Sequence, residues 1–174
     1  MDKLVCRAQK QDPNAFAELM RLCESDMYRI ARSLLRCDAD IADAMQETIL
    51  TCFEKLPTLR TPSYFKTWMM RILINKCNDV LRDGRKTVTT DILPESGSTD
   101  PALANVEFEM LMDSLDEPYR TVLVLRYGEG LSTRQISQVL EISESAVRQR
   151  LKRGRDKARS LFEPEKPIRM EVLA

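Results

Sequence analysis

The chain has 174 residues, with 31% charged, 6% aromatic, 27 basic against 27 acidic side chains, and no histidine. That length holds one ordinary domain or two small ones, and the scarcity of aromatics and of glycine (5 residues) favours helices over sheets. Without histidine the usual general base is missing, which argues against triad hydrolysis, and neither a cofactor nor a metal site is expected.

The opening segment MDKLVCRAQKQD has no apolar h-region, so no secretory leader is expected there. Apolar runs extend only a few residues, so no membrane insertion is expected and a cytoplasmic location is the reading. From residue 14 to about 36, Phe16, Leu19, Cys23, Met27, Ile30 and Leu34 recur at steps of three and four, one stripe of an amphipathic helix. Asp12-Pro13 fits its start, with Asp as N-cap and Pro at the first helical position. A second helix is predicted over about 40–56, with Ile41, Met45, Ile49, Cys52, Phe53 and Leu56 inward. Pro57 and Pro62 bracket a loop, LPTLRTPSY. A third helix is predicted over about 63–83, with Phe65, Trp68, Met69, Ile72, Leu73 and Val80 apolar and Gly84 as its stop.

From about 85 to 105 the periodicity lapses, and PESGSTDP reads as a flexible linker. Helical pattern resumes near Val106 with Met110, Leu111 and Leu115. Asp116-Glu117-Pro118 starts another helix, which ends at Tyr127-Gly128. Ser132-Thr133-Arg134-Gln135 is a capping box opening a helix that buries Ile136, Val139 and Leu140. A tight turn leads to Ser143 as the next N-cap, and the last helix carries Val147, Leu151, Ala158 and Leu161. Two short helices, a tight turn and a basic second helix form a helix-turn-helix signature. The fold class is all-α: two small helical domains, 1–84 and 106–163, joined by a flexible linker, 85–105, with a tail, 164–174, and the helix-turn-helix in the second. The cysteines at 6, 23, 37, 52 and 77 form no CxxC pair and read as reduced, mostly buried thiols.

Zero net charge hides an uneven distribution. Residues 37–57 carry a net of −4, whereas 60–86 and 143–160 each carry seven basic residues and a net of +5. On the last helix Arg148, Gln149, Lys152, Arg153 and Arg155 lie along about a turn and a half while Val147 and Leu151 face the core. Long hydrogen-bonding side chains near the start of such a helix suit base edges in the major groove, and cations around them suit phosphates. The pattern departs from many helix-turn-helix motifs in having Ser137 mid-helix and Glu141 in the turn, where Ala and Gly are common. The other basic segment, SYFKTWMMRILINKCNDVLR, interleaves aromatics with cations, the combination that grips single-stranded DNA. Phe65 reads as core; Trp68 reads equally as core or as a stacking ring.

The run DADIADAMQETILTCFEKL followed by F-x-x-W-x-x-R-I-x-x-N resembles the promoter-melting domain of extracytoplasmic-function (ECF) sigma factors of the sigma-70 family. The run from LDEPYRTVLVLRYGEGL to RQRLKRGRDKARSLF resembles their C-terminal, −35-reading domain. The two together cover roughly 12–84 and 106–162. The resemblance implies a non-enzymatic transcription initiation factor. Its partners are core RNA polymerase (β′ coiled coil and β flap), promoter DNA both duplex and melted, and an anti-sigma factor. It implies that Asp43, Gln46 and Glu47 bind the polymerase. It places Leu59, Arg60, Thr61, Ser63 and Tyr64 in the −10-reading loop, with Lys66, Trp68, Arg71, Asn75 and Lys76 on the helix behind. In the second domain it assigns Ser145, Arg148, Gln149, Lys152 and Arg153 to −35 recognition and Arg134 to a phosphate contact. The family's G-T-V entering the recognition helix is here Ser145-Ala146-Val147, and its acidic residue before I-A is Gln135, which affects base preference.

Two rival readings remain from the residues. An ordinary helix-turn-helix regulator would need no polymerase, and the aromatic-basic helix argues against it. A protein-binding adaptor would not need the cations of the last helix.

Overall fold

The computed structural model of the protein describes residues 1–87, 112 and 114–162, with 83–87 and 161–162 as helix backbone alone. Its helices are α1 (Asp2–Ala8), α2 (Pro13–Leu34), α3 (Asp38–Lys55), α4 (Phe65–Thr87), α5 (Glu117–Leu123), α6 (Thr133–Leu140) and α7 (Glu144–Phe162). Among the described residues there is no strand.

Asp12 starts α2 as its residue type dictates. The carboxylate accepts from the N–H groups of Asn14 and Ala15, and Pro13 takes the first helical position. The Ala15 hydrogen bond and the Arg7 guanidinium, 2.7 Å away, hold this carboxyl below its ordinary range. α2 then presents Leu19, Cys23, Met27 and Ile30 to Ile41 and Cys52 of α3 and to Phe65, Met69 and Leu73 of α4, all buried. Each large side chain in that cluster contributes about 1.5–3 kcal/mol by leaving water. Burial pushes the Cys52 and Cys77 thiols up to about 12; burial and the Asp26 carboxylate push Cys23 up to about 11. These three thiols therefore stay protonated, while Cys6 and Cys37 are exposed.

Three sequence expectations need correcting. α1 was not anticipated; it is one short helix whose Val5 is buried against α2. Gly84 does not stop α4, which continues to Thr87: glycine inside a helix carries a penalty of about 1 kcal/mol and does not by itself break it. Phe53 points outward, half exposed, with its ring edge-on to Phe16 at 5.2 Å. The expected linker 85–105 belongs to α4 as far as Thr87; its remainder, the pattern from Val106 to Leu111 and the tail 164–174 lie outside the described residues.

In the second group, α5 runs into one π turn, Val124–Gly128, closed by Glu129 N–H to the Val124 carbonyl at 3.1 Å. The capping box at Ser132 and Gln135 is present in both directions. α7 crosses α5 at Gly154, where a Cβ would sit 3.1 Å from Leu123 Cδ1, so glycine sets that spacing. The two groups pack on each other, α5 and the π turn against α2, and α6 against α4.

Candidate nucleic-acid and polymerase interfaces

Two 3₁₀ turns, Leu56–Thr58 and Pro62–Tyr64, each with a proline in its first positions, shape the loop between α3 and α4. Leu59 and Tyr64 close them by donating to the Leu56 and Thr61 carbonyls at 3.1 and 3.0 Å. Gln9, just beyond α1, reaches across about fifty residues: its Nε2 donates to the Leu59 carbonyl at 2.7 Å and to the Leu56 carbonyl at 3.2 Å. Sequence reasoning missed Gln9, because nothing local marks a side chain whose partners are so distant. Arg60, Thr61 and Ser63 are exposed, Leu59 is half-buried, and the Tyr64 ring is 62% exposed at the mouth of the loop.

On α4, Phe65 is fully buried, as expected. Trp68 is half-buried against it, ring centres 6.0 Å apart, so its indole is part of the packing and keeps an open edge. Asn75 is exposed. The described cations of this helix, Lys66, Arg71, Lys76 and Arg82, are each engaged in an ion pair. Lys76 Nζ donates to Glu47 Oε2 at 3.2 Å, joining an expected DNA-binding residue to an expected polymerase-binding one. Asp43, Gln46 and Glu47 are exposed on α3, and a shallow crevice of about 220 Å³ lies between Asp43, Glu47 and Lys76. Leu50, on the next turn of α3, is an exposed apolar residue.

Lys66 sits in an alternating cluster with Asp26, Arg29 and Glu129. Its Nζ lies 2.7 Å from Asp26 Oδ2 and 3.1 Å from Glu129 Oε2, the latter an ion pair rather than an aligned hydrogen bond. Arg29 Nε and Nη2 donate to Glu129 Oε1 at 3.0 and 2.7 Å, and Nη2 also to Asp26 at 2.6 Å. Burial alone lowers the Arg29 and Lys66 pKa values, but the two carboxylates more than reverse this and both end raised. Arg71 pairs with Glu141 of the helix-turn-helix.

The helix-turn-helix forms as read. α6 ends at Glu141, which takes the left-handed conformation at φ 54° where glycine is common. Ser137, at the position often held by Ala, donates its hydroxyl to the Ile142 carbonyl at 2.6 Å and so ties the turn. Ser143 caps α7 by accepting from Ala146 N–H at 3.2 Å. Val147 and Leu151 face the core, leaving Ser145, Arg148, Gln149, Lys152 and Arg153 on the exposed side. Arg148 meets Glu144 one turn back at 3.3 Å, and Ser145 shares a hydrogen bond with Ser143. Arg134 is exposed on α6, and Arg155 donates to the Tyr127 hydroxyl.

An aromatic-basic helix behind a proline-braced loop, followed by a helix-turn-helix with an exposed basic recognition face, defines a two-part DNA-reading protein. Residues 19–87 match Sigma-70 region 2, and residues 105–157 match Sigma-70, region 4. The chain is 25% identical over 176 residues to the ECF RNA polymerase sigma factor SigW of Bacillus subtilis, covering 90% of this chain and 94% of that protein. It is similar to the solved structure of CnrH in complex with the cytosolic domain of CnrY, with 25% identity and a TM-score of 0.68 over 95% of this chain and 98% of that one. It shares its fold with the sigma factor RpoE of Bartonella quintana, solved in complex with the anti-sigma factor NepR, at a TM-score of 0.75 and 22% identity over 87% and 98% of the two chains. The chain belongs to the sigma-70 family as an ECF sigma factor, and it directs promoter-specific transcription initiation by RNA polymerase. The region 2 match disfavours an ordinary helix-turn-helix regulator. No described helix is long and apolar enough to cross a membrane.

Proposed function

We propose that this sigma factor reads the −35 element with the exposed face of α7 and the −10 element with the loop 59–64. The observation that carries the reading is the segregation of Ser145, Arg148, Gln149, Lys152 and Arg153 to one solvent-facing side of the helix that follows the Glu141 turn. Arg148 and Gln149, in the first two turns, are placed for base edges; Lys152, Arg153 and Arg134 serve phosphates. In the loop, Arg60, Thr61, Ser63 and Tyr64 present polar and aromatic groups to an extruded base, with Leu59 as its anchored start. Trp68 closes the floor, and Lys66, Arg71, Asn75 and Lys76 follow the melted strand. Flipping a base costs a few kcal/mol, and stacking on an aromatic ring returns about 1–3 kcal/mol of it.

Asp43, Gln46 and Glu47 dock the polymerase β′ coiled coil, and the C-terminal domain meets the β flap. The protein works in the cytoplasm, catalyses nothing itself, and is held by an anti-sigma factor until needed. Functional units at 1–84 and 106–163 divide these tasks.

The test is reconstitution with core polymerase on a promoter library, with permanganate footprinting as a second readout. Wild type yields promoter-specific transcripts and a melted −10 region. A Tyr64→Ala, Trp68→Ala double variant that is folded by circular dichroism binds promoter but opens it poorly. Melting equal to wild type would reduce those rings to packing.

A further inference from the structure

The loop 59–64 is held from below by a helix outside the span matched to Sigma-70 region 2, which begins at residue 19. That helix is α1, which packs on α2 and touches the second 3₁₀ turn, Pro62–Tyr64. Val5, fully buried, and Ala8 seat it. Its exit is fixed as tightly. Lys10 and Gln11 donate their N–H groups to the Arg7 and Ala8 carbonyls at 3.0 and 3.1 Å, and Gln11 takes the left-handed conformation at φ 65°. Arg7 then pairs with Asp12, the cap of α2. Gln9 stands inside this turn, with helical backbone at the end of α1. Its side chain therefore leaves from a backbone whose direction is set before any DNA arrives.

The carboxamide meets the loop at one particular bond. Nε2 carries two hydrogens, and two carbonyls take them, Leu59 at 2.7 Å and Leu56 at 3.2 Å. The Leu56 carbonyl also accepts from Leu59 N–H at 3.1 Å, so the first 3₁₀ turn closes without Gln9. The Leu59 carbonyl is different. It follows that turn, in extended backbone at ψ 109°, and its donor is Gln9. A peptide unit is planar, so fixing the Leu59 carbonyl also fixes the Arg60 N–H that shares its plane. Arg60 and Thr61 come next and are exposed. Beyond them Pro62 has a locked φ and keeps Thr61 extended, at φ −125° and ψ 106°. The exposed pair is held between a hydrogen-bonded peptide plane and a proline.

We propose that Gln9 is a positioning residue for −10 recognition: its carboxamide sets the Leu59–Arg60 peptide plane, and through it the direction in which Arg60 and Thr61 meet the promoter. Gln9 touches no DNA itself. The proposal rests on the reading of 59–64 as the −10 loop and adds α1 to that loop as a working part. A loop whose polar groups are aimed in advance gives up less freedom on binding. It also penalises a wrong base more, because a fixed site cannot re-aim to suit it.

The experiment is a promoter library transcribed by core polymerase reconstituted with the full chain, read for both elements. Gln9→Met keeps the length of the side chain and removes both donors. Its discrimination among −10 bases falls about fivefold, the worth of one net hydrogen bond, while the −35 profile stays as in wild type. Gln9→Glu, whose carboxylate cannot donate, gives the same pattern. Cys52→Ala, at a fully buried position of the same group of helices, lowers stability with the carboxamide intact, and its −10 profile stays as in wild type. In an Arg60→Ala, Thr61→Ala chain the aimed groups are gone, and adding Gln9→Met changes the −10 profile no further. Four results overturn the positioning role: a wild-type −10 profile in both Gln9 variants, equal flattening at −10 and −35, equal flattening in Cys52→Ala, or an undiminished Gln9 effect in the loop variant. If Arg60→Ala, Thr61→Ala itself leaves the −10 profile unchanged, the reading of the loop is what failed, and the role of Gln9 falls with it.

Discussion

The helices α4 and α7 each carry a row of cations, and the rows are satisfied in different ways. On α7 Arg148 pairs with Glu144, one turn away on the same helix, and Gln149, Lys152 and Arg153 face solvent. On α4 Arg82 also pairs within its own helix, with Asp79, but the other partners come from elsewhere: Glu47 of α3 for Lys76, Asp26 of α2 and Glu129 beyond the π turn for Lys66, and Glu141 of the distant turn for Arg71. An i,i+4 pair on a helix surface is worth about 0.3–0.5 kcal/mol and yields readily to a phosphate. A cation paired with another domain is a different object. It ties α4 to residues far along the chain, Glu129 and Glu141, whereas the Arg148 pair ties α7 only to itself.

The sharpest way to break this comparison is at a buried tie between the two groups of helices, where Arg120 of α5 donates to the Ser33 carbonyl of α2 at 2.7 Å. Removing the Arg120 guanidinium leaves the Ser33 and Leu115 carbonyls without their donor in a site shut off from water. An unsatisfied buried group costs about 1–3 kcal/mol, so Arg120→Met should lower stability by on the order of 3 kcal/mol in urea unfolding. If the loss is below about 1 kcal/mol, the guanidinium is not what ties α5 to α2.

The comparison predicts next that the open row reads sequence. Arg148→Ala should remove discrimination at one base of the −35 element, worth about 1–3 kcal/mol if the contact is bidentate, and leave −10 preference alone. A promoter library read with reconstituted polymerase gives both profiles at once. An unchanged −35 profile takes Arg148 out of the readout. On the other side, Gln9→Ala should loosen the 59–64 loop by removing a donor from two carbonyls, at about 1 kcal/mol of net hydrogen bonding. Its signature is broader −10 preference with −35 preference intact; equal loss at both elements would mean that Gln9 supports folding and not the loop.

Much of this was legible in the sequence where the physics is local. Asp12-Pro13, the capping box at Ser132 and Gln135, and Ser143 as a cap each depend on partners within three residues, and each is found. The exposed basic side of α7 followed from the same short range, since Val147 and Leu151 fix which side turns inward. What was not legible involves long reach. Lys66 and Arg71 stand on the aromatic-basic helix that the sequence marks, but their carboxylates stand 63 and 70 positions away and no periodicity announces them. Gln9 is hidden for the same reason. Phe53 misled because an amphipathic stripe admits one more residue than the packing can cover, and its ring settles on Phe16 instead.

The smallest expected effect is also the most discriminating, because strain and ion pairing act at one residue with opposite signs. Glu141 holds φ 54°, which for a side chain with a Cβ is unfavourable by about 1 kcal/mol relative to glycine. Its pair with Arg71 is more than half exposed on both partners and is worth about 0–1 kcal/mol. Glu141→Gly removes both terms, so at low salt its stability should lie within about 1 kcal/mol above wild type. Glu141→Ala removes the pair and keeps the strain, so it should lie below wild type by the worth of the pair alone. At about 1 M salt, where the screening length is near 3 Å, the pair fades and glycine should exceed both glutamate and alanine by about 1 kcal/mol. Urea unfolding of the three proteins at two salt concentrations reads each term separately. Alanine matching glycine at high salt would remove the strain. Alanine matching wild type at low salt would remove the pair, and with it the reason to keep glutamate in a turn that favours glycine.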